Sequence, residues 1–210
     1  MASSMAWQGG LQTLKTSSEN PTSMLSRPLF IASLGNPGRT YQNTRHNAGH
    51  ILLVTLASHL SYPPFAISTQ HARGQISQKR DSLLWQCPTY MNVSGKAVAT
   101  AWKAFLRDLE IDEQKNARLV VVHDELESLP GKIKVKTGGS VKGHKGLLDC
   151  KKYLNGTEFW RMSVGIGRPE SRDRDAVTSY VLKAMTRQEK DAITSGVDEA
   201  AIQLDKIAED

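Results

Sequence analysis

A chain of 210 residues can bury one hydrophobic core and is too short for two domains of ordinary size. Hydrophobic residues make up 39% and charged residues 23%, a globular composition, and no apolar run approaches the roughly 18 residues that a membrane helix requires. Lysine and arginine outnumber acids by 27 to 21, a formal charge of +6 that favours a polyanionic partner. Cys87 and Cys150 are far apart with no metal-ligand spacing around either, which argues against a disulfide framework or a zinc site.

Residues 1–27 are rich in serine and threonine, hold one acid and two bases, and lack strand periodicity, so they are read as an extension outside the fold. Their composition suits either an organellar transit peptide or a disordered tail, which leaves cytoplasm and mitochondrion both open. Residues 28–210 are expected to form a single domain. It opens on PLFIASLG, a buried strand ended by the turn Asn36-Pro37-Gly38. A helix follows near Asn47, where Ala48, Ile51, Leu52, Leu56 and Leu60 share one face. SLLWQCP is a second strand, and Ser94 is placed to cap the helix GKAVATAWKAFLRDL. LVVVHDE reads as a third strand covered on both faces.

Beyond Pro130-Gly131, KIKVK alternates as an edge strand would. From Lys132 to Lys152 the chain carries seven lysines against Asp149 alone, interleaved with Gly138, Gly139, Gly143 and Gly146. A charge run is often only a solvated face, but glycines also let backbone amides approach a phosphate. The helix GLLDCKKYL, the strand FWRMSVGIG and a helix near AVTSYVLKAM follow. The last helix opens with the capping box Thr186-Arg-Gln-Glu189 and carries Ile193, Val197, Ala201, Leu204 and Ile207 inward. This alternation predicts an α/β fold, a mixed and largely parallel sheet with helices on both faces.

In such a sheet reactive groups collect beyond the C-terminal ends of the strands. Asn36, Tyr90-Met91-Asn92 and His123-Asp124-Glu125 stand at three of those ends, and Arg45-His46-Asn47 opens the first helix near the same rim. A histidine can take a proton from water when a carboxylate on its other nitrogen fixes the tautomer, and His46 with Asp124 is the natural pair. Spacing alone leaves a structural or solvated role open for each of the six histidines, and a turn-capping role open for Asp124. No serine occupies a nucleophile elbow, so activated water is preferred to a covalent intermediate. Gly35-Asn-Pro-Gly38 lacks the dinucleotide fingerprint. The interval from Gly138 to Gly143 matches a phosphate-binding P-loop, but His144 and Lys145 replace its lysine and hydroxyl. Asp124, Glu125 and Glu127 are weighed as Mg²⁺ ligands, but alternate strand residues face opposite ways, so no metal and no cofactor is expected.

LGNPGRTYQNTRHNAG, TYMNVSGKAV, VVHDEL-x-x-LPG, K-x-GG-x-x-x-GH-x-GL and VGIGRP stand in the order and spacing that resemble the bacterial-type peptidyl-tRNA hydrolases. The resemblance spans about Phe30 to Met185 and implies hydrolysis of the ester between a peptide and the 3′ end of tRNA, a step of ribosome rescue in translation. It implies His46 as catalytic base and Asp124 as the carboxylate that holds it. Asn36 would recognise the blocked end of the substrate and orient water, and Asn92 would grip the peptide and the reacting carbonyl. Tyr41, Tyr90 and Met91 would line the cleft. The glycine-lysine segment would form a mobile lid, with Lys136 and Lys142 on phosphates and Gly143, His144 and Lys145 beside them. The implied partner is peptidyl-tRNA, bound at its acceptor stem and 3′ end by a monomer without membrane attachment.

Two positions depart from the family pattern. Lys145 replaces an asparagine, and Ser163 replaces an arginine that Arg161, on the same strand face, is placed to substitute. A phosphate contact is the preferred role for Lys145, because a lysine lacks the acceptor of an amide. The rival function is a non-catalytic RNA-binding relative that keeps the basic lid; retention of Asn36, His46, Asn92 and Asp124 together argues against it.

Overall fold

The apolar run Leu29–Ser33 forms β1 at the heart of a sheet, with every residue buried, in the computed structural model of the chain. The structure describes residues 27–141 and 143–210. The expected extension, apart from Arg27, therefore lies outside the described residues, as does Lys142. Arg27 already belongs to the fold, because its backbone N–H donates to Ala208 O at 2.9 Å.

The other strands are β2 (Ala66–Ile67), β3 (Gln75–Lys79), β4 (Ser82–Gln86), β5 (Arg118–Glu125), β6 (Ile133–Lys136) and β7 (Trp160–Gly165). They form one sheet in the order β2-β3-β4-β1-β5-β7-β6. The four central strands, β4, β1, β5 and β7, run parallel. The hairpin β2–β3 on one edge and β6 on the other are antiparallel. Parallel neighbours put their C-terminal ends on one side, which is what gathers the site.

The helices are α1 (Ala48–His59), α2 (Gly95–Arg107), α3 (Ile111–Asn116), α4 (Lys145–Leu154), α5 (Arg174–Leu182), α6 (Arg187–Ser195) and α7 (Val197–Glu209). Strand alternation divides the core into two layers. Leu29, Ile31, Val120 and Val122 pack against α1, α6 and α7. Phe30, Ala32, Leu119 and Val121 face the other way onto α2 and α4. Helices thus cover both faces of a sheet that is parallel in its centre, the architecture expected from the sequence.

Three local expectations change. Ser94 does not cap α2: its backbone is helical and its hydroxyl donates to Met91 O at 3.0 Å. The cap comes from another helix, since Gly95 N donates to Asp149 Oδ2 of α4 at 2.6 Å. Glycine is required there because a Cβ would lie 2.1 Å from Asp149 O. The single C-terminal helix is two, α6 and α7, broken at Gly196, whose N–H closes on Ile193 O at 3.1 Å. Ala200 is fully buried, and Ala201, expected to face inward, is partly buried against the same core. Finally, β2, β3 and α3 were not anticipated, because a two-residue exposed strand and a helix with no buried residue carry no apolar period.

Candidate active site

Asn36 follows β1, a 3₁₀ turn Met91–Val93 follows β4, and His123-Asp124-Glu125 ends β5, so all three open on the same rim. A second 3₁₀ turn, Arg45–Asn47, brings His46 to it. Together they border a cleft of about 840 Å³. Asn36 is tied down on both sides: its Oδ1 accepts from Met91 N at 2.9 Å, and its N–H donates to Asn47 Oδ1 at 2.8 Å. Asn47 Nδ2 returns a bond to Asn36 O at 2.9 Å, so Asn47 ties the turn that carries His46 to the segment that follows β1. With Oδ1 occupied, the amide nitrogen is the polar atom Asn36 has left for the cleft.

His46 Nδ1 lies 2.9 Å from Asp124 Oδ1, and His144 Nε2 lies 3.0 Å from the same oxygen. The proton on His144 can be placed. Its Nδ1 accepts from Leu147 N at 3.2 Å as the N-cap of α4, so Nε2 carries the hydrogen and donates to Asp124. Asp124 is only 4% exposed. Burial opposes its charge, but His46 and His144 beside it hold the carboxyl well below the usual carboxylate range. The carboxylate in turn orders His46. Burial pulls that imidazole down, but the charge and hydrogen bond of Asp124 more than offset it, so its pKa is raised above 6.5, with Lys145 opposing the rise. With Nδ1–H directed at Asp124, Nε2 of the neutral ring is the basic atom.

His123, next in the chain, is neutral. Burial and the neighbouring His144 push it to about 3, while its Nδ1 bonds Asp124 O at 2.7 Å. Burial likewise pushes both thiols up, which leaves Cys87 and Cys150 as poor nucleophiles. His46, Asp124 and His144 offer three ligand-type atoms within 4.8 Å of one another, near enough for a metal ion. The donor chemistry does not fit one: the Nε2 that would ligate is protonated for as long as Nδ1 caps α4.

Asn92, Tyr90 and Met91 line the cleft, as do Lys136, Gly143, His144, Lys145 and Arg161. Tyr41 stands behind the wall, packed edge-on against Tyr90 at 6.2 Å between ring centroids. Arg161 is buried, and its guanidinium donates to the carbonyl oxygens of Gly138 and Ser140. It braces the glycine loop, whose Gly138, Gly139 and Gly143 all adopt positive φ. Ser163 turns its hydroxyl to Lys134 O at 3.1 Å.

Matched against known proteins, residues 30–210 fit the family described as peptidyl-tRNA hydrolase. The chain belongs to the peptidyl-tRNA hydrolase family. It is 39% identical to the peptidyl-tRNA hydrolase of Aromatoleum aromaticum over 86% of this chain and 88% of that one. The Haemophilus influenzae enzyme is 38% identical over 89% and 93%. The crystal structure of peptidyl-tRNA hydrolase from Acinetobacter baumannii superposes with a TM-score of 0.71 at 30% identity, covering 90% of this chain and 92% of that one. Hydrolysis of the ester in peptidyl-tRNA is the reaction of this family, and the chain is an ester hydrolase of that kind.

Two parts of this hydrolase site escaped the sequence reading. Arg45, beside His46, is gripped by both carboxylate oxygens of Glu189, at 2.8 and 3.0 Å, and stacks over Tyr180 at 4.2 Å. A capping-box glutamate thereby anchors the turn that carries His46, and no spacing in the sequence links positions 144 residues apart. Arg172 and Arg174 line the same cleft. In the sequence the two alternate with Asp173 and Asp175, so their charge does not stand out, and only the fold brings Arg172 and the start of α5 to the cleft.

Proposed function

We propose that this chain releases the peptide from peptidyl-tRNA with His46 as general base. The observation that carries the reading is the 2.9 Å bond between His46 Nδ1 and Asp124 Oδ1 at the floor of a cleft large enough for the end of a nucleotide chain. In this reading His46 Nε2 takes a proton from water, whose oxygen attacks the ester carbonyl while Asn36 and Asn92 supply amide donors to water and carbonyl. The bond to the ribose oxygen breaks, and the imidazolium returns its proton to that oxygen. Asp124 fixes the tautomer and stabilises the imidazolium without taking the proton.

The same reading has Tyr90 and Met91 against the terminal nucleoside and the first peptide residue, with Tyr41 supporting Tyr90. Lys136 and Lys145 serve the phosphates of the 3′ end and acceptor stem, and the chain acts as a monomer. Residues 27–210 are the hydrolase domain, and residues 1–26 an extension. What supports the basic side is the lack of an ion pair for Lys136, Lys145, Arg172 and Arg174 among the described residues. Incubation with N-blocked aminoacyl-tRNA should release the blocked amino acid, and unchanged substrate at stoichiometric protein would end the reading.

A further inference from the structure

Lys145 sits where a lysine is electrostatically costly. It is the first residue of α4, whose opening turn contains no acid, so its charge faces the positive end of the helix dipole. Its backbone is held on both sides: His144 caps the helix and bonds Asp124, and Gly146 packs so closely on Met91 that a Cβ would meet Sδ at 2.7 Å. The side chain is exposed, lines the cleft with His46, Asn92 and Asp124, and has no hydrogen bond or ion pair among the described residues. An unpaired cation placed against the dipole, beside the basic imidazole, points to an anion supplied by the substrate.

We propose that Lys145 binds the last phosphodiester of the tRNA 3′ end and so holds the terminal ribose, with its ester, over His46. The inference rests on the hydrolase reading above. The phosphate on the 5′ side of the terminal nucleoside is the substrate's anion nearest the reacting ester, only one ribose away. A side chain that lines the same cleft as His46, close enough for its charge to act on that imidazole, is placed for that phosphate rather than for the more distant phosphates of the acceptor stem. A flexible ammonium suits a phosphate oxygen and cannot supply the paired donor and acceptor of an amide. The charge acts on His46 as well, against that of Asp124; Arg45, the other cation nearby, is neutralised by Glu189. Substrate phosphate would cancel the positive field of Lys145 and strengthen the base on binding.

The test uses a short RNA hairpin carrying the tRNA acceptor end, with the last linkage either a natural phosphodiester or a neutral methylphosphonate. Binding of the uncharged hairpins is read by fluorescence anisotropy, and single-turnover hydrolysis is followed on their N-blocked aminoacyl forms. The native chain should bind the methylphosphonate RNA about tenfold more weakly than the natural one, the worth of one charged hydrogen bond. Lys145→Asn should bind natural RNA about tenfold more weakly and distinguish the linkages by less than about twofold. Its melting temperature should match or exceed that of the native chain, since the unfavourable dipole contact is gone. A native chain indifferent to the linkage overturns the proposal, as does a variant that still discriminates or one that melts lower. Native-like binding with a slower single-turnover step also overturns it, and would assign Lys145 to the carbonyl. The binding arm needs no turnover, so a chain that discriminates linkages without cleaving ester would refute only the hydrolase reading.

Discussion

On the floor of the cleft, the polar atoms around Asp124 are committed to one another: His46 and His144 bond one oxygen, Asn36 is held by Met91 and Asn47, and Arg45 is clamped by Glu189. On its walls, Lys136, Lys145, Arg172 and Arg174 carry charges that no described residue answers. A proton-transfer group must keep its geometry before substrate arrives, so its partners belong to the protein. A phosphate-binding group is better left unpaired, because breaking an internal salt bridge would oppose binding. Lys134, bonded to Ser128, and Arg168, paired with Glu127, show that cations near the cleft can also be spent internally.

This contrast is broken most severely at the floor. His46→Ala should lower kcat by about 10²–10⁴, the worth of general-base catalysis, while tRNA affinity and melting temperature hardly change. Substantial residual turnover, or binding lost in step with activity, would place the base elsewhere. Asp124→Asn should cost less and also move the pH profile. The base works only when deprotonated, so kcat/KM falls on acidification through the His46 pKa, which Asp124 holds above 6.5. Without the carboxylate, burial dominates and the acid limb should shift to lower pH; a limb that stays in place would show that another group titrates.

Smaller effects sharpen the comparison. His144→Asn keeps an acceptor to cap α4 but falls short of Asp124, so kcat should drop about tenfold with little thermal change, whereas His144→Leu should lower both. Equal stability losses in the two variants would reduce His144 to a helix cap. On the walls, Lys136→Ala and Arg172→Ala should each flatten the slope of log K against log salt by about 0.7–0.9 and leave single-turnover chemistry unchanged. Slopes equal to the native one would place both cations outside the RNA path. A chelator should have no effect at all, and inactivation restored by Mg²⁺ or Zn²⁺ would revive the carboxylates as ligands.

The sequence by itself determined the parts of this protein that depend on period and on local chemistry. The continuous apolar runs of β1 and β5 already required a sheet covered on both faces, and α1 and α2 were legible in their apolar spacing. The motifs around His46, Asp124, Asn36 and Asn92 named the family and the floor of the site. Tertiary structure decided what depends on groups distant along the chain. Nothing local could tell that Asp149 rather than Ser94 caps α2, that Glu189 holds Arg45, or that Arg161 bonds the carbonyls of the glycine loop. A side chain's partner is set by which surfaces the fold presses together, and here those surfaces come from segments separated along the chain. The same holds for charge: Lys145 and Lys134 look alike in the sequence, and only the packing around them leaves one without a bond among the described residues and ties the other to Ser128.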